Sequence, residues 1–442
     1  MLPKLTGIKW SCFICILFGL ILVLHLLFLF FIELPDREVG TSKLAAHSKA
    51  QFGVNFFGDE GGYVHRAYNL ANKKIYSING ITPSAMRVPV WPLLLTPIFF
   101  FTNNIIYGFI LNALLASLIS LGAYFLAKLY WGRETGLLTM IVVGLSPHTY
   151  NWMVELNSET IFSLLLILFL ISFTYLIKYH NLKQAALAGL LAGLIPLTRP
   201  EGILLFPLYA MYLVYIVFTE KRHNYLVITV FCLTFFLTVS PWFIRNYLVM
   251  DKFIGISTLS GIVFAGAHNE KIFHRSPGSW AGPGFYLSKE EIAHLTSLRQ
   301  DEAKYNSYLW QKGLENLKKV DFSFLLYLEL RKILNLIKPS FRIVPKSYSE
   351  LINTLIVAPY FILYVTFFAF IFLGRSIIIK KYAALFLILV IPLAVTLIFF
   401  GDVRFRVPYE PVIFTLAIGF LANERRFIPS LGFGRSRLKP AG

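Results

Sequence analysis

Long apolar stretches alternate with short polar segments along the whole chain, and this pattern predicts a protein that crosses a membrane several times. The first stretch, SCFICILFGLILVLHLLFLFFI at 11–32, corresponds to about 33 Å of helix, which is enough for a hydrocarbon core of about 30 Å. It is longer than the apolar region of a signal peptide, and no small-residue cleavage site follows it, so we expect an uncleaved anchor. Similar stretches predict about ten transmembrane helices, near 10–32, 105–128, 135–150, 156–177, 184–198, 202–218, 224–240, 353–374, 382–400 and 408–422.

Lysine and arginine are concentrated in alternate loops, and this bias predicts how the helices are oriented. The basic segments are both termini and the loops KLYWGRE, IKYHNLK, TEKRHN and GRSIIIKKY. Because short basic loops stay in the cytoplasm, we expect both termini there, in a multi-pass protein of the plasma (inner) membrane. The segments 33–104 and 241–352 then face outward.

Three regions follow from this arrangement. They are an N-terminal membrane module at 1–240 that includes the first outer loop 33–104, an outer helical region at 241–352, and C-terminal membrane helices with a basic tail at 353–442. Within the outer region, EIAHLTSLRQDEAKYNSYLWQKGLENLKK predicts a soluble or surface-lying helix pair. FSFLLYLELRKILNLIKPSF predicts an interfacial helix with Arg331, Lys332 and Lys338 opposite its apolar side. PVWPLLLTPIFFF, from Pro89, is too short to span and predicts an interfacial or re-entrant segment.

Two pairs of acidic residues lie close to the outer membrane boundary. Asp59 and Glu60 are neighbours in NFFGDEGGYVHRAYNL, where the simplest interpretation is an acidic helix start, favoured by about 0.3–1 kcal/mol. Glu155 and Glu159 in VELNSET are four residues apart and share one face of a helix. Glu159 falls at or just below the membrane surface, where an ionisable residue is costly and by default indicates function. Pairing with the helix dipole is the alternative for Glu159.

Five arginines lie at the same boundary, namely Arg87, Arg199, Arg245, Arg404 and Arg406. Any one of them is explained by a side chain that reaches toward lipid headgroups. Five arginines beside two acidic pairs instead predict group transfer, in which an acid activates a nucleophile and arginines hold a phosphate leaving group.

The composition excludes several other chemistries. The chain of 442 residues is 57% hydrophobic and 14% charged, with a net charge of +18. In a soluble protein that charge would favour nucleic acid, but here cytoplasmic loops account for it. The three cysteines, Cys12, Cys15 and Cys232, lie in predicted spans and act as small apolar side chains rather than disulfide partners. No cysteine–histidine spacing predicts a zinc site.

The order of several motifs resembles a known family. DEGGYVHRAYNL, RVPVWPLLL, VELNSETIFSLLL, AGLLAGLIPLTRPEGILLFP, PWFIRN and RFRVPYEPV follow one another along nearly the whole chain. This order resembles the membrane glycosyltransferases of the GT-C fold, in the branch of the aminoarabinose–lipid A transferases and protein O-mannosyltransferases. The resemblance implies an all-α membrane enzyme with helical outer loops. Such an enzyme moves a hexose or pentose from a polyprenyl-phosphate donor to a lipid, glycan or protein acceptor on the outer face.

The resemblance also implies roles for single residues. Asp59 matches the catalytic base, and Arg87 matches a basic residue near the lipid phosphate. Glu159 matches a second acid, with Glu155 as its rival; many relatives have Asp there, so a divalent cation is left open as a cofactor. Glu60 and Asp59 do not share a helix face, so only one of them reaches the acceptor.

Two other function classes remain open. A lipid-glycan ligase or polymerase would use the same outer face and the same lipid phosphate. A secondary transporter would show internal repeats and polar groups near the middle of the bilayer, and the sequence has no clear repeat of this kind.

Overall fold

The computed structural model describes residues 10–34, 59–219, 224–338, 350–373 and 381–422, which are helical or form turns, with no strand among them. The first helices are α1 (Trp10–Phe28), α2 (Glu60–Lys73), α3 (Val90–Leu95), α4 (Ile106–Trp131), α5 (Arg133–Gly144), α6 (Pro147–Met153), α7 (Glu159–Tyr179), α8 (Leu182–Leu194), α9 (Leu205–Thr219) and α10 (Leu226–Met250). Then follow α11 (Ser260–Ala267), α12 (Glu270–Arg275), α13 (Pro283–Tyr286), α14 (Lys289–Ser297), α15 (Glu302–Leu317) and α16 (Phe322–Ile337). The last are α17 (Glu350–Leu373), α18 (Ala383–Leu387), α19 (Val390–Ile398), α20 (Val403–Arg406) and α21 (Glu410–Ala422).

Six helices in the described part of the chain, counted with their short continuations, are long and apolar enough to cross a membrane: Trp10–Phe31, Ile106–Trp131, Glu159–Tyr179, Pro200–Thr219, Leu226–Met250 and Val403–Ala422. The predicted all-α, multi-pass membrane fold is therefore confirmed. The predicted number of about ten spans stays a prediction, because several helices are short. α5, for example, has 12 residues, which is about 18 Å of helix. The basic termini and parts of TEKRHN and GRSIIIKKY lie outside the described residues.

Close helix packing in the membrane bundle depends on small residues. Gly189 and Gly193 of α8 face α10, and a Cβ atom at either position would collide with the carbonyl oxygen of Phe231 or the side chain of Thr238. Small residues one turn apart let two helix backbones approach closely, which is how helices associate where lipid removes the hydrophobic driving force. α8 and α10 can thus form a tight pair behind the buried helix α7.

The region 241–352, which is predicted to face outward, contains a small core of its own. Ala265, Leu287, Leu295 and Leu309 are buried together, so the predicted helix pair is present as α14 and α15. The segment from Val90 to Phe100 is helical and partly buried, and its interfacial or re-entrant position stays a prediction.

One detail of the predicted interfacial helix differs. Lys332 of α16 is buried; its Nζ pairs with Glu329 at 2.8 Å and donates to the carbonyl oxygen of Leu397 at 2.9 Å. The exposed side of α16 is instead apolar and carries Phe322 and Leu330. The helix turns Lys332 inward because acceptors there satisfy its ammonium group.

Candidate active site

Asp59 stands immediately before α2, but its carboxylate makes no hydrogen bond that caps the helix. Oδ1 accepts from Nη2 of Arg87 at 2.6 Å, and Oδ2 accepts from Nη1 of Arg404 at 2.9 Å. The simplest interpretation of the sequence, a helix cap, therefore does not describe this residue. Asp59 joins the first outer loop to a segment 345 residues further along the chain.

Glu159 begins α7, and its side chain is only 1% exposed. Its Oε1 accepts from Nη1 of Arg199 at 2.6 Å and also from Nε of Arg404. The Nε of Arg199 in turn pairs with Glu201. The groups therefore alternate in charge in the order Arg87, Asp59, Arg404, Glu159, Arg199 and Glu201, a set that we call the acid–arginine chain.

Local backbone geometry sets the positions of two of these arginines. Pro200 favours an extended conformation in the residue before it, and Arg199 has φ −145° and ψ 127°. The helical turn Pro200–Leu204 then brings Glu201 back beside the Arg199 guanidinium. At the other end, Asp402 caps α20 by accepting from the backbone N–H of Arg404 at 2.8 Å.

The acid–arginine chain balances its charge, with three guanidinium groups against three carboxylates. Such balance matters because buried charges are tolerated only when they are paired. Burial by itself would raise the pKa of Asp59, but Arg87 and then Arg404 outweigh that effect and hold this pKa below its ordinary value. In this arrangement Asp59 is ionised at neutral pH.

The other two predicted acids, Glu60 and Glu155, lie next to the acid–arginine chain. Glu60 is fully buried, and its Oε1 accepts from the backbone N–H of Leu156 at 2.9 Å, which ties α2 to the turn before α7. Glu155 is partly exposed, and its Oε2 accepts from Asn157 at 2.7 Å. Burial, and then repulsion by Glu159 and Glu60, raise the pKa of Glu155 to about 7. Glu155 therefore changes its charge near neutral pH, whereas Asp59 does not.

Two of the five predicted arginines are held elsewhere. Arg406 pairs with Glu410 at 3.2 Å and donates to the carbonyl oxygen of Leu336 at 2.8 Å. Arg245 donates to the carbonyl oxygen of Ser84 at 2.8 Å and stacks over Trp242. The structure thus brings Arg87, Arg199 and Arg404 together and places Arg245 and Arg406 in neighbouring clusters.

Some charged residues of the site were missed in the sequence. Glu201 lies in the quoted motif LTRPEG, two residues after Arg199. Glu410 lies in RFRVPYEPV, four residues after Arg406, a spacing that lets two helical side chains meet. Its other oxygen contacts Nδ1 of His148 at 2.6 Å. The short spacing between an acid and an arginine within each motif could have identified Glu201 and Glu410 in the sequence.

A small cavity lies beside Glu159, the buried carboxylate of the acid–arginine chain. Its lining includes His148, Trp152, Glu159, Ser163 and Glu410. Its volume of about 30 Å³ has room for roughly two water molecules. The more exposed part of the acid–arginine chain is at Asp59 and Arg404, whose side chains are 33% and 31% exposed.

A divalent cation does not fit this donor set. Within the described ranges, no group of three or more His, Cys, Asp or Glu side chains is arranged to hold a metal ion. Both oxygens of Asp59 already face guanidinium groups, which would repel a cation. Guanidinium groups therefore surround the partly exposed carboxylate of this donor set.

The comparisons with known proteins agree with this picture. The family model described as dolichyl-phosphate-mannose-protein mannosyltransferase matches residues 88–242, a segment that contains Glu159 and Arg199. No curated protein sequence matches the chain.

Solved structures show the same fold. The archaeal oligosaccharyltransferase AglB from Archaeoglobus fulgidus, in complex with an inhibitory peptide and a dolichol-phosphate, matches with a TM-score of 0.50 and 12% identity. The match covers 98% of this chain and 53% of that chain, so this chain spans about half the length of its relative. ArnT from Cupriavidus metallidurans, bound to undecaprenyl phosphate, matches with a TM-score of 0.46 and 12% identity over 94% of this chain and 79% of that one. The GT-C resemblance predicted from the motifs is confirmed.

Proposed function

We propose that this chain is a glycosyltransferase that moves a hexose or pentose from a polyprenyl-phosphate donor to an acceptor at the outer face of the plasma membrane. The observation that carries the proposal is the acid–arginine chain, in which the partly exposed Arg87 and Arg404 share the carboxylate of Asp59. The match of residues 88–242 to a mannosyltransferase family supports it. We also propose cytoplasmic termini and the three regions predicted from the sequence.

Arg87 and Arg404 bind the phosphate of the donor in this proposal. A phosphate presents several acceptor oxygens and at least one negative charge, so it competes with Asp59 for the same two guanidinium groups. In the reaction these arginines stabilise the charge that develops on the departing lipid phosphate. The apolar segment from Val90 to Phe100 follows Arg87 directly, and its exposed side chains, including Leu93 and Leu94, seat the prenyl chain.

Asp59 is the proton acceptor. When phosphate draws Arg87 and Arg404 away, the pKa of Asp59 returns toward its ordinary value and the freed carboxylate faces the acceptor hydroxyl. The hydroxyl oxygen forms a bond to the anomeric carbon of the sugar, the bond from that carbon to the phosphate oxygen breaks, and the proton passes to Asp59. Glu155 is the rival for this role because its pKa of about 7 suits a general base.

The remaining predicted residues support the phosphate site from behind. Glu159 lies between Arg199 and Arg404 and holds both guanidinium groups in orientation. Arg245 and Arg406 hydrogen-bond to the carbonyl oxygens of neighbouring segments and hold those segments in place. Glu60 does the same for the turn before α7. We assign these residues to positioning rather than to contact with the substrate.

A transporter is less consistent with this geometry. Transporters bind their substrates near the middle of the bilayer, between half-helices. The acid–arginine chain instead lies at one end of the bundle, where α7 starts and where α8 leads into the turn before α9. A ligase or polymerase would share the phosphate site and differ only in the acceptor.

The test is a transfer assay with the purified protein and synthetic polyprenyl-phosphate sugars. The expected result is release of polyprenyl phosphate together with transfer or hydrolysis of the sugar. This activity should be abolished in Asp59→Asn. It should be retained in the control Arg133→Ala, because Arg133 is an exposed arginine at the other end of the bundle. Solute uptake by proteoliposomes without release of polyprenyl phosphate would contradict the proposal.

A further inference from the structure

The loop that carries Arg87 has no regular secondary structure between Ala85 and Val88, yet its backbone is held at nearly every residue. We call residues 84–88 the Arg87 loop. Side chains from four distant positions contact its backbone: Glu302 at Ala85 N (2.8 Å), Arg245 at Ser84 O (2.8 Å), Ser257 at Met86 O (2.6 Å) and Tyr76 at Arg87 O (3.1 Å). A backbone that lacks helix or sheet partners must be satisfied in this way when it is buried.

Glu302 differs from the other three because it accepts from a backbone N–H group, whereas Arg245, Ser257 and Tyr76 donate to carbonyl oxygens. It is the first residue of α15, and its Oε2 accepts two hydrogen bonds, from Ala85 N and from Thr258 Oγ1, both at 2.8 Å. One carboxylate oxygen therefore joins the first outer loop, the segment before α11 and the start of α15. The bond at Ala85 lies only two residues from Arg87.

Charge adds to the effect of these bonds. Arg66 is buried and donates to Ser84 Oγ at 2.9 Å, so two arginines, Arg66 and Arg245, converge on one residue of the Arg87 loop. Neither forms an ion pair with a carboxylate within the described part of the chain. The charge of Glu302 acts on both of them and balances one of the two positive charges beside the loop.

We propose that Glu302 is a positioning residue that fixes the Arg87 guanidinium from the outer helical region. The inference rests on the proposed function, in which Arg87 contacts the donor phosphate. A displacement of about 1 Å at a reacting group lowers a rate by up to about 100-fold. In the described part of the chain only Glu302 accepts from the Ala85 N–H, so we expect its loss to shift the backbone two residues before Arg87 and to displace the guanidinium by up to about that distance, although the carbonyl oxygens of the loop stay bonded.

The variants follow from the hydrogen bonds. Glu302→Ala removes both bonds and should lower kcat/KM for the donor by about 10- to 100-fold. Glu302→Gln keeps a carbonyl oxygen in the same place and should recover most of the activity, because geometry rather than proton transfer is lost. The matched control is Glu315→Ala on the same helix, where the carboxylate is 60% exposed and pairs only with Lys312 at 3.9 Å.

The experiment compares these variants in a donor titration at saturating acceptor and in direct binding of polyprenyl phosphate. A double-mutant cycle with Arg87→Ala is decisive: if Glu302 acts through Arg87, then Glu302→Ala costs no more than about twofold once Arg87 is gone. If Glu302→Ala fails to fold, Glu302→Asp replaces it in the cycle, since it keeps the charge but shortens the side chain.

Two results would overturn the inference. One is donor kcat/KM in Glu302→Ala, or in the Asp variant that replaces it, within twofold of the parent. The other is an equal loss with and without Arg87. Failure of the proposed function looks different, since the unmodified protein would then neither bind polyprenyl phosphate nor transfer a sugar.

Discussion

Replacing Asp59 by Asn should lower turnover without lowering donor affinity. Asn keeps the size of the side chain but cannot accept a proton, and loss of a general base typically lowers a rate by about 10²–10⁴-fold. The same change removes one negative charge from a set of three guanidinium groups and three carboxylates. The donor phosphate then meets Arg87 and Arg404 without a competing carboxylate, so its affinity should be unchanged or higher.

The assay has two parts, at equal expression and in the same detergent. Single-turnover transfer gives the chemical rate, and binding of polyprenyl phosphate, which undergoes no reaction, gives the affinity. The matched control is Asp321→Asn, which weakens the cap of α16 but leaves every carboxylate and arginine of the acid–arginine chain in place. Near-normal turnover in Asp59→Asn, or donor affinity that falls along with the rate, would refute the reasoning.

A pH profile distinguishes Asp59 from Glu155. The pKa of Asp59 lies below its ordinary value, so a reaction that depends on Asp59 should be flat between pH 6 and pH 8. The pKa of Glu155 is about 7. If Glu155 were the base, the rate would rise roughly tenfold over that interval, and the rise would vanish in Glu155→Gln.

Four further predictions concern the same site. Arg87→Ala should weaken donor use through lost charge-assisted hydrogen bonds worth about 1.5–3 kcal/mol each, with only partial recovery in Arg87→Lys, and a rise in acceptor KM alone would contradict phosphate binding. Glu159→Gln should lower stability by about 1.5–3 kcal/mol, read from denaturant unfolding in detergent, because Arg199 and Arg404 each lose one of their two carboxylate partners. Burial and repulsion raise the pKa of Glu155 from 4.5 to about 7, so stability present below pH 4.5 should be lost as the pH rises to about 7, and this slope should be missing in Glu155→Gln. A cysteine at the exposed Ser307 should react with an impermeant reagent in intact cells, and labelling only after lysis would place the outer region inside.

The sequence predicts which charged residues lie near the membrane boundary, but it does not predict which partners their side chains contact. Apolar runs and basic loops depend on local composition, so the helices and their order follow from the chain directly. Arg245 and Arg404 look alike in the sequence, since each lies at the end of an apolar run. Their environments differ because tertiary contacts decide them: Arg245 meets a carbonyl oxygen 161 residues away, and Arg404 meets a carboxylate 345 residues away.

Lys332 is a residue whose burial the sequence does not predict. Helical periodicity places it on the polar side of α16, which suggests exposure. The structure buries it because Glu329 and the carbonyl oxygen of Leu397 in α19 complete its hydrogen bonds. Spacing within one helix carries no information on partners of this kind.

The long separation of Asp59 and Arg404 along the chain has a consequence for how the protein is made. At about 5–20 residues per second, the ribosome needs roughly 20–70 seconds to add the 345 residues between them. Throughout that interval the growing chain already displays Asp59, while Arg404 is still unsynthesised. The proposed phosphate site is complete only after the segment that carries Arg404 has been made, so a shorter nascent chain would lack one of the two arginines proposed to bind the donor.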